Sequence, residues 1–434
     1  MQRLLRRVAV IGGVRIPFCR SNTFYADLSN LDMMTGALNA LIDRYNLKGQ
    51  HIDEVVGGAV VTHSKDFNLT REAVLGTRLA ASTPGITIMQ ACGTSLQGAL
   101  GSAAKIAAGE IDSAIAVGSD TTSDAPIVVS KKLAQRLTKA AQQKTTLDKL
   151  KVFQGFSPGE LAPQAPSVAE PRTGLTMGEH CELMAQVWDI SRADQDQFAL
   201  QSHRKAAEAY RSGYMDDLVV PFSGVYRDNN IREDATLEKL ATLKTAFDKT
   251  DRGTLTAANS TPLTDGAAAV MLASEEWAAK RGLPVLAYLT YSQSAANDFV
   301  GGDGLLMAPT IAVSKMLERA GLKLQDFDYY EIHEAFAAQV LATLKAWEDP
   351  AYCKERLGRS EPLGSIDRSK LNVHGSSIAF GHPFAATGAR IAANMAKILS
   401  QKGGRGLISI CTAGGMGVAA IMETRDAAEM HQAA

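Results

Sequence analysis

The chain has 434 residues, of which 46% are hydrophobic and 21% are charged, and its formal net charge at pH 7 is −1. This length is too great for a single hydrophobic core, so we expect two or three packed units with the composition of a soluble globular enzyme. The near-zero net charge gives no support for a nucleic-acid partner.

The cysteines argue against disulfides and against a metal site. They are odd in number, widely scattered and without metal-ligand spacing: Cys19, Cys92, Cys181, Cys353 and Cys411. A chain with this pattern is expected to work in a reducing compartment, and we predict a cytoplasmic location.

The N-terminal sequence MQRLLRRVAVIGGVRIPF resembles a signal peptide, because an apolar run follows a basic start. However, Gly12 and Gly13 interrupt that run, Arg15 follows it at once, and no small-residue cleavage site is evident. We therefore interpret Val8–Val14 as a first β-strand. No apolar run approaches the ~18 residues that a membrane-spanning helix requires.

Strand-like and helix-like segments alternate after this strand. Asp32–Tyr45 and Ser95–Ala108 have the spacing of helices, and the strand-like segments are Val55–Val61, Ile86–Met89 and Ile111–Val117. This alternation predicts an α/β fold.

The C-terminal part repeats the same order. Ala37–Val56 aligns with Ala312–Glu331 at a constant offset, and each segment has the pattern of a helix, a short turn and a strand. A second pair follows, in which CGTSLQGAL and the residues after it correspond to FGHPFAATGAR and the residues after it. We therefore predict two homologous α/β halves.

The segment between the halves matches neither copy and is predicted to be an insertion. It contains a basic stretch from Lys131 to Lys151, a Pro-rich connector and two polar helices, Met177–Asp189 and Arg192–Ser212. Insertions of this size are usually functional, and this one is expected to cover a substrate. The predicted units are an N-terminal half (1–120), the insertion (121–258), a return strand of the first half (259–275) and a C-terminal half (276–434).

Cys92 lies in MQACGTSLQGAL, where a predicted strand ends and a helix of small residues begins. Unpaired N–H groups at a helix start stabilise a thiolate and can also bind an oxyanion. An isolated cysteine is more often a buried structural residue, but Gly93 and the strand-to-helix turn make a nucleophile an equal alternative. His382, in AFGHPFAATGAR, occupies the corresponding turn of the second half, so pseudo-twofold packing would let it deprotonate Cys92.

Two more candidates lie at the ends of predicted strands. His333, in HEAFAAQ, can hold a water or a substrate oxygen, although a helix-start histidine with Glu334 as a capping residue is the ordinary structural explanation. The motif is not the HExxH zinc motif, because position 337 is Ala. Cys411, in ICTAGGMG, lies beside glycines that allow the backbone to approach a ligand closely.

Together these segments resemble the thiolase family along essentially the whole chain. The motifs occur in family order: VAVIGGVRIPFCRS, QACGTS, LTMGEHCE, AANSTPLTDGAAAV, HEAF, GHPFAATGAR and CTAGGMG. The resemblance implies a duplicated α/β/α/β/α layered fold with an inserted loop domain. It implies thiolytic cleavage of a 3-oxoacyl-CoA, with CoA thioesters as substrates and without a metal or redox cofactor.

The resemblance also implies roles for single residues. Cys92 takes the acyl group, His382 activates it and helps to bind the thioester oxygen, and Cys411 is the second acid/base at C2 of acetyl-CoA. His333 stands where most thiolases have Asn and positions the water of an oxyanion hole. The backbone N–H groups of Cys92 and Ala413 form a second hole.

Three departures from the common pattern refine this expectation. HEAF in place of NEAF resembles the thiolases of trifunctional β-oxidation complexes, which implies longer acyl chains and a hydratase/dehydrogenase α subunit. The usual CxG has Ala413 in place of Gly, which a backbone N–H hole tolerates unless φ is positive there. Thr176 stands where many biosynthetic thiolases have His, which argues against a small acetoacetyl pocket.

Contacts with CoA and with partners are less specific in the sequence. Thr261, Ala257 and Met177 match segments that bind CoA in the family, and basic residues of 131–151 or 227–232 are candidates for the ADP phosphates. A solvated helix face is the ordinary explanation of such a charge run, and a membrane-surface contact is a lesser alternative. The family forms homodimers or dimers of dimers.

Three other functions stay open at this point. A biosynthetic acetyl-CoA acetyltransferase differs in the chain length that it accepts. A decarboxylating condensing enzyme shares the duplicated fold, but Cys411 in a glycine-rich turn argues against it. A non-catalytic CoA-binding subunit would have no reason to carry all four of Cys92, His333, His382 and Cys411.

Overall fold

A computed structural model describes residues 5–433 of the chain. The described residues form a ten-stranded sheet whose strand order is β4-β3-β5-β6-β1-β7-β10-β9-β8, with β2 beside β6. The strands are β1 (Val8–Arg15), β2 (Cys19–Arg20), β3 (Glu54–Gly58), β4 (Gly85–Thr87), β5 (Ser113–Asp120), β6 (Thr264–Ser274), β7 (Ala287–Ala296), β8 (Tyr329–Ile332), β9 (Arg405–Thr412) and β10 (Met416–Glu423).

The sheet has two halves that mirror one another. In the first half the order from the centre outward is β1-β6-β5-β3, and in the second it is β7-β10-β9-β8. In each half the last pair, β5 with β3 or β9 with β8, is parallel. The halves meet where β1 and β7 pair antiparallel, with Ala9 opposite Tyr288 and Val10 opposite Ala287. This topology confirms the predicted α/β fold with two duplicated halves.

Helices pack on both faces of the sheet. The described residues form α1 (Asn30–Arg44), α2 (Leu69–Leu75), α3 (Thr94–Ala108), α4 (Lys131–Ala141), α5 (Thr146–Lys151), α6 (Met177–Val187), α7 (Arg192–Arg211), α8 (Leu237–Ala241), α9 (Glu275–Lys280), α10 (Ala308–Ala320), α11 (Ala337–Glu348), α12 (Pro350–Glu355), α13 (Ser377–Phe380), α14 (Thr387–Lys402) and α15 (Arg425–Ala433). The repeated helix–turn–strand units are therefore α1 with β3 and α10 with β8, as predicted.

Alternation along the strands separates two hydrophobic clusters. On β6, Val270 and Leu272 join a cluster with α3 and α14, whereas Met271 points to the opposite face and packs with α1. This is the period of two that a strand buried on both faces requires. Helices α3 and α14 therefore form the central layer.

The two central helices approach one another closely because of a glycine. A Cβ added at Gly388 of α14 would lie 2.4 Å from the backbone nitrogen of Leu96 in α3. Residues 387–399 of α14 are all buried. The small side chains that begin both helices therefore let the two helix starts meet.

The ends of β3 and β5 differ from the predicted strand ends. The predicted strand Val55–Val61 ends at Gly58, because the N–H groups of Val60 and Val61 instead donate to the buried carboxylate of Asp120. The predicted strand Ile111–Val117 starts at Ser113 and extends to Asp120. Both shifts arise from contacts between segments that are distant in the sequence.

The segment between β5 and β6 contributes none of the ten strands and carries α4 to α8. The helices predicted to end at Asp189 and Ser212 end at Val187 and Arg211. The bounds of the four predicted units stay predictions. In the described part of the chain, no helix combines the length and apolarity that membrane crossing needs.

Candidate active site

Cys92 lies in a one-turn 3-10 helix, Ala91–Gly93, directly before α3. Ala91 has φ 44°, a left-handed conformation that costs free energy for a residue with a side chain. Thr94 stabilises this turn, because its hydroxyl donates to the Ala91 carbonyl (2.8 Å) and accepts from the Gln90 N–H (2.9 Å). The Cys92 side chain is thereby fixed at the helix start, where it is 7% exposed.

His382 lies in the turn before α14 and contacts Cys92. Its Nε2 is 3.1 Å from Cys92 Sγ, and its Nδ1 is 2.6 Å from Thr387 Oγ1. The backbone N–H of His382 donates to Thr264 Oγ1 at 3.2 Å. The preceding Gly381 has φ 102°, and an added Cβ would lie 2.7 Å from Thr264. A glycine is therefore required for His382 to reach the other half of the molecule.

Burial keeps both members of this pair neutral. Burial raises the pKa of Cys92 to about 12, although hydrogen bonds from the Ala413 and Cys92 backbone N–H groups lower it in part. Burial and the nearby Arg390 cation lower the pKa of His382 to about 3. The backbone N–H of Cys92 at the helix start lowers the pKa of the thiol, in the direction that the sequence indicated. Desolvation outweighs this effect, so the thiol is neutral in the resting site.

Two backbone N–H groups point at the Cys92 sulfur. They belong to Ala413 and to Cys92 itself. Ala413 does not have a positive φ, and the left-handed residues of its turn are Gly414 (φ 77°) and Gly415 (φ 67°). The methyl group of Ala413 is therefore accommodated without strain. The Gly414 N–H donates to Glu170 Oε1 at 2.8 Å, so the inserted segment contacts this turn.

His333 follows β8 and is fully buried beside His382. The centroids of the two rings are 4.2 Å apart. Its Nδ1 is 2.8 Å from Ser377 Oγ, whereas its Nε2 has no hydrogen-bond partner among the described residues. Burial, followed by repulsion from His382 and Arg390, lowers the pKa of His333 well below its usual value. His333 therefore presents a neutral ring with one free nitrogen.

Cys411 lies in β9 and is 1% exposed. It belongs to an apolar cluster with Cys181, Met184 and Phe336, against which Met177 also packs. Burial raises the pKa of Cys411 well above its usual value, and repulsion from Cys92 and Cys181 contributes. Cys411 is therefore a neutral thiol in an apolar part of the same site.

Two of the three predicted CoA residues, Thr261 and Met177, lie near this site. The Thr261 N–H donates to the Ala335 carbonyl at 3.1 Å, which places Thr261 beside the HEAF segment. Ala257 is exposed and Met177 is half-buried. The basic stretch 131–151 forms the exposed helices α4 and α5, and no described lysine of this stretch contacts the four candidate catalytic residues.

The ordinary structural explanation of the HEAF segment is wrong, because Glu334 does not cap α11, the helix that follows it. Glu334 is buried and accepts hydrogen bonds from Ser202 Oγ (2.7 Å), Asn372 Nδ2 (2.7 Å) and the Ile378 N–H (3.2 Å). It therefore ties the HEAF segment to the segment that leads to His382.

Several polar residues around the histidines were missed by the sequence analysis. They are Thr264, Ser377, Thr387 and Arg390. The one available signal was Arg390, which stands in the otherwise small and apolar start of α14 and is 4% exposed.

Three donor atoms converge in a way that the sequence spacing did not indicate. Cys92 Sγ and one nitrogen each of His333 and His382 all lie within 4.8 Å of one another. Zinc accepts such ligands. The arrangement is equally that of a thiol nucleophile with a base and an N–H donor, which needs no metal.

Sequence models of two domains match the chain. The model described as "Thiolase, N-terminal domain" matches residues 8–276, and the model described as "Thiolase, C-terminal domain" matches residues 283–424. Together they contain all four candidate catalytic residues.

Relatives match over nearly the full length. The chain is 43% identical over 424 residues to a 3-ketoacyl-CoA thiolase of Yersinia pestis (strain Pestoides F), which covers 96% of this chain and 97% of the relative. The fold is similar to the crystal structure of the Bacillus anthracis acetyl-CoA acetyltransferase, with a TM-score of 0.80, 30% identity and coverage of 97% and 100%. It is also similar to the human mitochondrial 3-ketoacyl-CoA thiolase, with a TM-score of 0.80, 28% identity and the same coverage.

Proposed function

This chain belongs to the thiolase family, and on that premise we propose that it catalyses the thiolytic cleavage of 3-oxoacyl-CoA through an acyl group on Cys92. The observation that carries the proposal is the 3.1 Å contact between Cys92 Sγ and His382 Nε2, with Cys411 and His333 in the same buried site. The products are acetyl-CoA and an acyl-CoA that is two carbons shorter. The reaction is an acyl transfer and is reversible.

In the first half-reaction, His382 takes the Cys92 proton while the sulfur attacks the C3 carbonyl of the substrate. The C2–C3 bond then breaks, and the acyl group stays on Cys92. The electron pair of the broken bond moves onto the acetyl-CoA fragment, which becomes an enolate. Cys411 gives its proton to C2. A neutral thiol is needed for this step, and the raised pKa of Cys411 keeps it protonated.

In the second half-reaction, the Cys411 thiolate takes the proton of a new CoA thiol. The CoA sulfur attacks the acyl group on Cys92, and the Cys92 thiolate that leaves recovers its proton from His382. Both cysteines and the histidine return to their starting states. The Cys92 and Ala413 N–H groups stabilise the oxyanion at C3.

The degradative direction is supported by the 43% identity to a 3-ketoacyl-CoA thiolase and by His333 in HEAF. The alternative is a biosynthetic acetyl-CoA acetyltransferase, a name carried by one similar structure. The rates of thiolysis of acetoacetyl-CoA and of 3-oxohexadecanoyl-CoA distinguish the degradative from the biosynthetic enzyme. Loss of the enolate absorbance measures both rates. We expect cleavage of both, with a higher kcat/KM for the longer chain and none in Cys92→Ala. Cleavage of acetoacetyl-CoA alone would establish the biosynthetic alternative.

We also propose a homodimer or a dimer of dimers in the cytoplasm. The edge strand β4 has no outer neighbour among the described strands, and Ile86 and Met89 are 43% and 65% exposed within six residues of Cys92. Unpaired edges with exposed apolar residues favour association. The cytoplasmic proposal is supported by five free cysteines, of which Cys92 must stay reduced. Light scattering of the purified protein tests the oligomeric state.

Further partners are proposed on narrower grounds. The HEAF segment supports a hydratase/dehydrogenase α subunit, which co-purification tests. For the lesser alternative of a membrane-surface contact, the support is that Leu137, Leu147 and Leu150 are exposed beside the lysines of α4 and α5. Co-sedimentation with vesicles that does not depend on lipid charge would contradict this alternative. We assign no resident cofactor, because the proton and electron balance above closes with CoA thioesters alone.

A further inference from the structure

We propose that Ser377, oriented by Arg390, is a positioning residue that holds the His333 ring with its proton on Nε2, so that His333 donates a hydrogen bond to the substrate oxygen. The inference rests on the proposed function and deepens it, because it gives His333 a defined chemical role. It starts from the free nitrogen of His333.

The first step concerns Arg390. Its Nη2 donates to Ser377 Oγ at 2.7 Å, and its Nη1 donates to Ser376 Oγ at 3.1 Å. Arg390 Nη1 is also 3.8 Å from Glu331 Oε2, and the guanidinium carbon lies 5.9 Å from the centroid of the Phe380 ring. These contacts hold the guanidinium in one place, and a guanidinium can only donate hydrogen bonds.

The second step concerns the hydroxyl of Ser377. A serine hydroxyl has one hydrogen and two lone pairs, and Arg390 occupies a lone pair. Among the described residues, the only other contact of Ser377 Oγ is with His333 Nδ1, at 2.8 Å. If the second lone pair accepted a proton from Nδ1, the hydrogen of this buried hydroxyl would have no acceptor among the described residues, so the hydroxyl hydrogen points at Nδ1. This nitrogen is the acceptor, and the ring proton is on Nε2.

The third step concerns what Nε2 faces. An unpaired buried N–H group costs about 1–3 kcal/mol, so such a group in a native site calls for an explanation. Among the described residues, His333 Nε2 is buried without a hydrogen-bond partner, and one nitrogen of this ring lies within 4.8 Å of Cys92 Sγ and of a His382 nitrogen. A carbonyl or enolate oxygen bound there would satisfy it. Preorganised N–H donors of this kind stabilise charge that develops in the transition state.

The two histidines are thereby held in opposite tautomers. His382 accepts the Cys92 proton at Nε2, so its own proton is on Nδ1 and points at Thr387 Oγ1. His333 has its proton on Nε2. One neighbouring hydroxyl determines the tautomer of each ring. His382 therefore stays the base and His333 the oxyanion donor, although the ring centroids are only 4.2 Å apart.

The test is a double-mutant cycle on thiolysis of 3-oxohexadecanoyl-CoA with wild type, Ser377→Ala, His333→Asn and the double variant. We expect Ser377→Ala to lower kcat by about tenfold to hundredfold with little change in KM. In the His333→Asn background the same change should alter kcat less than about twofold, because Ser377 acts through His333. The matched control is Ser314→Ala, which removes a buried hydroxyl that accepts from another arginine, Arg359 (3.4 Å), and should keep most of kcat. Thermal melting confirms that each variant is folded.

Equal losses in both backgrounds would overturn the inference and indicate a merely structural serine. Wild-type protein that cleaves no 3-oxoacyl-CoA would instead refute the proposed function. The tautomer is then decided without activity, by nitrogen NMR of protein labelled at histidine, with the His333→Asn spectrum identifying the signals. An N–H signal at Nε2 and an acceptor signal at Nδ1 are expected. The opposite assignment would overturn the inference.

Discussion

The sulfur of Cys92 lies 3.1 Å from Nε2 of His382, although the two residues belong to different halves of a duplicated fold. Each residue precedes a central helix, Cys92 before α3 and His382 before α14. The distance between them is therefore set by how closely these two helices pack.

The close contact of α3 and α14 predicts that Gly388→Ala inactivates the enzyme. The new methyl group would lie 2.4 Å from the Leu96 nitrogen, which is backbone and cannot move alone. The helices must separate and take His382 away from Cys92, so we expect a loss of kcat of at least about 100-fold together with a lower melting temperature. The matched control is Gly101→Ala in α3, where no atom lies within 4 Å of the new Cβ. Alanine there should stabilise the helix by about 0.5–1 kcal/mol and keep activity. Normal kinetics for Gly388→Ala would refute this account of the helix contact.

The hydroxyl of Thr387 is predicted to orient His382. Thr387→Val keeps the shape of the side chain and removes the acceptor 2.6 Å from Nδ1. We expect kcat to decrease by about tenfold to hundredfold, because the ring loses the contact that fixes its tautomer. Thr343→Val is the control, since among the described residues the buried Thr343 hydroxyl bonds only to the Gln339 carbonyl, one turn earlier in α11. Steady-state kinetics of the two variants decides. An equal loss of kcat in the two variants would contradict the prediction, because it would show that Thr387 has no special role in orienting His382.

The neutral Cys92–His382 pair predicts how alkylation of Cys92 depends on pH. A thiol with a pKa of about 12 is deprotonated in a larger fraction at each higher pH throughout the neutral range. The rate of modification by iodoacetamide should therefore rise roughly tenfold per pH unit between about pH 7 and pH 10. Mass spectrometry of the Cys92 peptide measures this rate, and Cys92→Ser provides the background. A plateau below about pH 8 would reveal a thiolate–imidazolium pair instead.

Burial of His382 predicts a loss of stability in acid. Its pKa is about 3 in the folded protein against an ordinary value of 6.5, so below pH 6.5 the unfolded chain binds a proton that the folded chain does not. The folded state therefore has its full stability with respect to His382 above pH 6.5, and it loses that stability progressively as the pH falls toward 3. When the pH falls from about 7 to about 5, this group alone should lower the free energy of unfolding by on the order of 2 kcal/mol. Urea unfolding of His382→Asn should show a smaller decrease than the wild type. Identical pH dependence in both proteins would contradict the buried neutral histidine.

The repeat in the sequence was enough to predict the duplicated fold and the facing turns. Cys92 and His382 stand at equivalent points of the two copies, and equivalent strand-to-helix turns meet when similar halves pack. The repeated segments carry this information because their helix and strand periods are local. For the same reason the ends of β3 and β5 were misplaced, since Asp120 ends β3 and pairing with the distant β6 extends β5.

The surroundings of the site were outside the reach of a single sequence. Ser377 meets His333, and Thr264 meets His382, across long stretches of chain that carry no shared pattern. The resting ionisation of Cys92 was also beyond the sequence, because a helix start is visible there whereas burial from all sides is not. The alternative in which Glu334 caps a helix arose because HEAF precedes α11, but the three partners of Glu334 come from other segments.

The central claim is that Cys92 carries the acyl group, and trapping of that intermediate tests it most directly. The protein is mixed with 3-oxohexadecanoyl-CoA without free CoA, quenched in acid, digested and analysed by mass spectrometry. We predict a tetradecanoyl group on the peptide that contains Cys92, released when CoA is added before the quench and absent from Cys92→Ala. A wild-type protein that cleaves the substrate but bears the acyl group elsewhere, or bears none, would contradict the account.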